Sequence, residues 1–222
     1  MNETDEKQMN ALLQALDQAG LKGLTLLDVP STQFVRMNLL LLKGLIQKKG
    51  LSGAFISVDR PYQYMAHLLT MHQVQSEQVV FIDALGCFSA DSKVSKAKAS
   101  YLKGPFHIDR LPMTIKEWGG NGHSVNLARC QFIIIDNLST LLNYNSFSSV
   151  ELFLRRYVES LSSSTVLTAP LMIDRENCSP LYDSARTLCQ SELNLREASP
   201  PNSPESMGVI KGPAYGSRCE EG

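Results

Sequence analysis

FIIID, residues 132–136, is the most strand-like stretch of the chain, with four large apolar residues followed by an acidic one. A run that is apolar at every position, rather than at alternate positions, predicts a strand covered on both faces. The stretch therefore predicts a buried strand near the centre of a parallel sheet, with Asp136 at its carboxyl end.

Strands and helices alternate along the rest of the chain. Strands are predicted at 24–27, 54–58, 78–82, 165–168 and 193–195. Helices are predicted at 5–19, 33–49, 61–72, 148–161 and 181–189, where apolar residues recur on one face. Ser148 and Glu151 form a predicted capping box, and Pro170 is expected to end the strand before it. This alternation predicts an α/β fold with a mainly parallel sheet and helices on both faces.

The chain is predicted to form one α/β domain over residues 1–195, followed by a tail. Within the domain, the lysine-rich segment 84–104 is predicted as a solvated loop or short helix. A short strand is predicted near 106–108 and a helix at 111–118. From residue 196 to residue 222 proline and serine crowd together with few large apolar residues, so this tail is predicted to be disordered.

Composition argues against several classes of protein. The chain is 43% hydrophobic and 19% charged with a net charge of -1, as in ordinary globular proteins and without the basic surface typical of nucleic-acid binding. The most apolar run, 37–46, is too short and too polar to cross a membrane, and the acidic start is unlike a signal peptide. Scattered cysteines without a Cys-x-x-Cys pair predict reduced thiols in a cytoplasmic protein, and no metal site is predicted.

The stretch FIIIDNLS, residues 132–139, resembles the Walker B strand of RecA-like ATPases, whose acidic residue faces the metal and the nucleotide. DNLSTLLNYN at 136–145 and VDRPY at 58–62 are similar to sequences of small archaeal KaiC-like proteins. The resemblance covers about residues 20–195. It implies a RecA-like fold of the P-loop NTPase type, in which Asp59 and Asp136 lie at a nucleotide site. Taken alone, a central strand ending in Asp equally fits a carboxylate that caps the next turn.

The chain departs from this family where the phosphate-binding loop belongs. A working loop reads Gly-x-x-x-x-Gly-Lys-Ser/Thr, because glycine amides approach the phosphates and the lysine neutralises their charge. Residues 28–38 read DVPSTQFVRMN, with no glycine and no lysine. Pro30 removes an amide donor, and Phe34 puts bulk where the phosphates would lie. Arg60 stands where the family has a second acidic residue, so the catalytic pair is incomplete as well.

The resemblance and this departure together imply a non-catalytic RecA/KaiC-like domain. We expect it to regulate or scaffold through a protein partner or through self-association, since RecA-like domains commonly pair edge to edge. No catalytic residue, no cofactor, no nucleic acid and no membrane are expected. The alternative is a noncanonical ATPase that binds MgATP through vestigial positions, namely Arg36, Asp59, Asp136 and Ser139. A DNA-associated recombinase paralogue is a third possibility, and it lacks the basic surface expected of one.

Overall fold

The computed structural model of the chain describes residues 3–18, 23–84, 99–101, 130–162 and 166–196. The predicted strand near 106–108, the predicted helix at 111–118 and most of the segment 84–104 lie outside the described residues. Five helices are described: α1 Glu3–Gln18, α2 Phe34–Lys43, α3 Tyr62–Met71, α4 Phe147–Ser162 and α5 Ser179–Arg186. Seven strands are described: β1 Gly23–Asp28, β2 Gly53–Ser57, β3 Val79–Asp83, β4 Ala99–Tyr101, β5 Phe132–Ile135, β6 Thr168–Ile173 and β7 Ser191–Asn194.

The strands form one sheet in the order β4-β3-β2-β5-β6-β1-β7, and every pairing is parallel. The strand predicted at 132–136 is β5, at the middle of this order. Its apolar residues alternate between the two faces, with Phe132 and Ile134 on one side and Ile133 and Ile135 on the other. Burial on both faces explains why every position of β5 is apolar.

The two faces of the sheet are covered by different helices, as the sequence predicts. Leu12 of α1, Leu41 of α2 and Leu69 of α3 belong to one core, while Phe153 of α4 and Leu181 of α5 belong to the other. Because β1 feeds α2 and β2 feeds α3, the carboxyl ends of the central strands lie beside the amino ends of these helices. That edge of the sheet is where polar chemistry can be assembled.

Several element boundaries differ from the sequence predictions, and at two of them, the end of β6 and the start of α4, a residue was assigned the wrong role. Pro170 lies inside β6, opposite Thr25 of β1, rather than at its end. Helix α4 is capped by Ser146, whose Oγ accepts the Ser149 N–H at 3.2 Å, so the predicted box at Ser148 is wrong. Glu151, its predicted partner, instead accepts hydrogen bonds from α4 and α5 side chains.

Position 53 requires glycine, because β5 approaches the start of β2 too closely for a side chain. A Cβ at this position would lie 2.4 Å from both the Phe132 carbonyl oxygen and the Phe132 ring. We expect Gly53→Ala to lower the free energy of unfolding by about 1–3 kcal/mol, because a backbone atom of a paired strand cannot move away cheaply.

Gly44→Ala is the matched control, measured by the same denaturant unfolding. Its Cβ would meet the Leu13 side chain at 3.0 Å, and a side chain can rotate. We expect the smaller loss for Gly44→Ala, and an equal or larger loss would contradict the clash at Gly53.

Candidate functional site

Four buried acidic residues stand at the carboxyl ends of the strands, namely Asp28, Asp83, Asp136 and Asp174. Each accepts a backbone N–H from the segment that follows a neighbouring strand. The donors are Arg175 for Asp28, Tyr62 for Asp83, Val58 and Asp59 for Asp136, and Ser31 for Asp174. Each carboxylate therefore links the end of its own strand to the backbone segment that follows the neighbouring strand.

Asp136 binds the loop after β2 and does not cap the turn that follows it. Its Oδ1 accepts the Val58 N–H at 2.9 Å, and its Oδ2 accepts the Asp59 N–H at 3.2 Å. Its backbone carbonyl accepts the side-chain amide of Asn38 at 2.9 Å. Asp59, next to it, accepts the Thr140 hydroxyl at 3.0 Å. The structure thus brings Asp59, in the loop after β2, together with Asp136, at the end of β5, and Asn38 of α2 holds the backbone of Asp136.

Burial raises the pKa of Asp136 to about 7. The N–H groups of Val58 and Asp59 act in the opposite direction by stabilising the carboxylate, while the negative charge of Asp59 adds to the rise. Asp136 is therefore a carboxyl group that exchanges its proton near neutral pH.

The other two vestigial positions do not join this pair. Arg36 donates from Nε and Nη2 to Asp5 Oδ1 of α1, at 2.9 and 2.5 Å. Ser139 lies in the 3-10 turn Leu138–Asn143, and its buried Oγ has no hydrogen-bond partner among the described residues. Of the predicted set of four, two residues lie together, and neither Arg36 nor Ser139 lines the cavity beside them.

That cavity, here called the Asn38–Ser57 cavity, lies between α2 and the loop after β2. Its volume is about 20 Å³, and its lining residues are Phe34, Val35, Asn38, Phe55, Ser57, Asp59, Arg60, Pro61, Tyr64, Met65 and Asp136. Asn38 and Ser57 were missed in the sequence. The signal in the sequence was an asparagine, Asn38, within the apolar stretch that forms α2.

A second polar group, the Asp28–Asp174–Arg196 cluster, lies at the ends of β1, β6 and β7. Arg196 donates from Nε to Asp28 Oδ1 at 2.8 Å and from Nη2 to Asp174 Oδ1. Asp174 Oδ2 accepts the Ser31 N–H at 2.7 Å and the Asn177 side chain at 2.6 Å. Arg196, the first residue of the predicted tail, is thus bound to the sheet edge, while residues 197–222 lie outside the described residues.

The ionised form of Asp174 is the favoured one. Burial opposes ionisation, but the hydrogen bonds from Ser31, Arg196 and Asn177 outweigh it and hold the pKa of Asp174 below its usual value. A carboxylate anion thus sits at the start of the segment that leads into α2. This is the place where a P-loop protein binds phosphate.

A groove of about 450 Å³, here called the α2–α3 groove, runs along the outer side of these two helices. Its apolar lining includes Val35, Leu39 and Leu68, and its polar lining includes Lys43 and His72. Tyr64, at 44% exposed, lines both the groove and the Asn38–Ser57 cavity. Val35 also lines both, so the cavity and the groove meet at these two side chains.

The residues that the structure describes were compared with three kinds of site: an activated thiol, a metal-binding cluster and a membrane-spanning helix. Burial raises the pKa of Cys130 to about 11, and burial with the charge of Glu192 raises that of Cys189 to about 12, so neither is an activated nucleophile. Among the described residues, no group of three or more His, Cys, Asp or Glu residues is placed to hold a metal ion. None of the described helices combines the length and apolarity that a membrane span requires.

No protein-family model and no curated protein matches the chain. Solved structures do match. The flagellar accessory protein FlaH from Methanocaldococcus jannaschii aligns with a TM-score of 0.55 and 12% identity, over 83% of this chain and 76% of that one. The protein PH0321 from Pyrococcus horikoshii, solved with an unknown peptide, aligns with a TM-score of 0.55 and 14% identity, over 78% and 77%. This likeness confirms the predicted RecA-like α/β fold and shows the fold alone.

Proposed function

We propose that this chain is a non-catalytic RecA-like domain that regulates or scaffolds through protein contacts and does not hydrolyse ATP. The observation that carries the proposal is the Asp174 carboxylate on the Ser31 amide, at 2.7 Å. That amide opens the segment between β1 and α2, where a P-loop offers its backbone donors to phosphate.

An incoming phosphate would have to displace Asp174, which is held by three other groups. Arg196 and the side chain of Asn177 bind its carboxylate, and the backbone N–H of Glu176 donates to it at 3.2 Å. Asp28, also buried, would add repulsion to any anion that arrived. The sequence supplies no lysine here to offset that repulsion.

The α2–α3 groove is the surface that we assign to a protein partner. Its apolar floor of Val35, Leu39 and Leu68 and the cation Lys43 at its rim suit a segment with apolar and acidic side chains. PH0321, a protein of the same fold, was solved in complex with a peptide, which supports peptide binding as a use of this fold.

ATP binding is the second candidate function, and one observation favours it. Asp59 and Asp136 lie together at the carboxyl edge of the sheet, beside the Asn38–Ser57 cavity. Against it, Arg36 is engaged with Asp5 of α1 and offers no charge to phosphates at that place.

Thermal unfolding in millimolar MgATP separates the two functions. A ligand at a hundredfold excess over its Kd stabilises the folded state by about 2.7 kcal/mol, which raises the Tm of a chain this size by about 5–10 °C. We expect no shift for the parent protein. A shift in the parent that is lost in Asp136→Ala would overturn the non-catalytic proposal and establish the second candidate.

A further inference from the structure

The Asn38–Ser57 cavity is a small hollow whose lining is mainly apolar but includes several oxygen-bearing side chains. Its volume of about 20 Å³ is enough for one water-sized group. The oxygen-bearing side chains around it are Asn38, Ser57, Asp59 and Asp136, and the aromatic ring of Phe55 lies among them. The cavity therefore selects for one small group that donates hydrogen bonds.

Two of these oxygens are buried and unused. Asn38 Oδ1 and Ser57 Oγ have no hydrogen-bond partner among the described residues, and their residues are 2% and 1% exposed. The orientation of the Asn38 amide is set by its Nδ2, which donates to the Asp136 carbonyl at 2.9 Å, so Oδ1 is left as the acceptor. A buried polar atom without a partner destabilises the fold, so a donor in the cavity recovers that loss.

The charge around the cavity favours a cationic donor over a neutral one. Asp59 is acidic, Asp136 adds a second negative charge when its carboxyl group is ionised, and the cation among the lining residues is Arg60. Arg60 is a loose partner: its Nε lies 3.7 Å from Asp59 Oδ2, its side chain is 49% exposed, and its guanidinium lies 5.4 Å from the Tyr64 ring centroid. Its guanidinium thus lies over an exposed ring and leaves Asp59 incompletely neutralised.

We propose that the Asn38–Ser57 cavity binds a primary ammonium group, supplied by a small alkylamine or by a lysine side chain of a protein partner. The three N–H donors of an ammonium match Asn38 Oδ1, Ser57 Oγ and the Asp59 carboxylate. The lining residues Phe34 and Met65 supply apolar surface for an alkyl stem. Guanidinium and quaternary ammonium groups are too large for a hollow of this volume.

Titration with n-propylammonium, followed by backbone and side-chain amide NMR, tests the proposal. We expect saturable shifts at Val58, Asp59 and the Asn38 side chain in the millimolar range, where a Kd of 1 mM corresponds to about −4.1 kcal/mol. Matched probes are n-propanol, which lacks the charge, and tetramethylammonium and guanidinium, which exceed the cavity. An equal response to all four probes, or no saturable response to n-propylammonium, would overturn the proposal and leave water as the occupant.

Variants locate the site. Ser57→Ala removes an unpartnered hydroxyl and Asp59→Asn removes the charge, and we expect each to weaken n-propylammonium binding roughly tenfold or more, as loss of a hydrogen bond to a charged group does. Thr168→Val is the control, because Thr168 Oγ1 is also buried without a partner among the described residues but lies outside the cavity. Ser57→Ala is the smaller change, so its affinity for n-propylammonium tests the site even if Asp59→Asn does not fold. Unaltered affinity in Ser57→Ala overturns the assignment.

A capped tripeptide with a central lysine distinguishes the two sources of the ammonium. Binding of the peptide with shifts at the same residues assigns the cavity to a partner's lysine. Binding of n-propylammonium without the peptide assigns it to a small amine. Neither outcome depends on the response to MgATP, so the cavity proposal and the proposed function fail separately.

Discussion

Replacing Arg196 with methionine is expected to lower the free energy of unfolding by about 3–5 kcal/mol, the usual cost of removing one partner from a buried ion pair. The side chains of Asp28 and Asp174 are 3% and 5% exposed, and the single guanidinium of Arg196 pairs with both. Methionine fills similar space but leaves two buried carboxylates facing each other without a cation. Urea unfolding at neutral pH measures the loss.

Two controls separate this effect from the loss of any surface charge or of the tail. Arg186 pairs with Glu192 at 2.9 Å while 59% exposed, and Arg186→Met is expected to cost about 0–1 kcal/mol. Truncation after Ala198 keeps Arg196 and is expected to leave the Tm within about two degrees, as the loss of few buried contacts should. A loss for Arg196→Met no larger than that for Arg186→Met would contradict a structural role for the cluster.

The pH dependence of this loss has a definite sign. Since the pKa of Asp174 in the folded state is below its unfolded value, its ion pair stabilises the fold above about pH 4, the unfolded value. That stabilisation is lost as the pH falls through the folded pKa. The difference between the parent and Arg196→Met is therefore expected to shrink below about pH 4.

Local pattern was enough to predict the α/β class and the order of helices and strands along the chain, whereas the RecA-like fold was implied by the resemblance. Each central strand is apolar at successive positions because both faces are covered, and each helix carries one apolar stripe, so type and order could be recognised from neighbouring residues. The failure at β6 has a physical cause. Pro170 has no N–H to donate to a neighbouring strand. β5 and β6 share one register pair, Phe132 with Thr168, so residue 170 is not required to donate a backbone hydrogen bond to β5.

The wrong bounds for β6 also explain why one of the four buried acidic residues at the carboxyl edge was missed. With the strand placed at 165–168, Asp174 did not stand at a strand end and was not singled out, although Asp59 and Asp136 were. The partners of Asp136 were unpredictable for another reason. Its hydrogen bonds go to the loop after β2, and the adjacency of β5 and β2 is set by sheet order. Sheet order arises from contacts between segments distant in the chain, which a local pattern does not encode.

Asp136→Asn is expected to change how stability depends on pH, and by a large amount. The pKa of Asp136 is about 7 in the folded state, against about 3.9 for an unperturbed Asp, so between these values the folded state holds a proton that the unfolded chain releases. Stability then falls as the pH rises, because the folded state binds more protons than the unfolded state does.

A difference of about three pKa units corresponds to at most about 4 kcal/mol. We expect the parent to lose up to about 4 kcal/mol relative to Asp136→Asn between about pH 4 and pH 8, measured by urea unfolding at each pH. Asparagine keeps an acceptor for the Val58 N–H and cannot ionise, so its profile lacks this decline. Asp17→Asn, which removes an exposed carboxylate, is expected to follow the parent. Parallel profiles for the parent and Asp136→Asn would show that the Val58 and Asp59 amides keep the carboxylate ionised despite its burial.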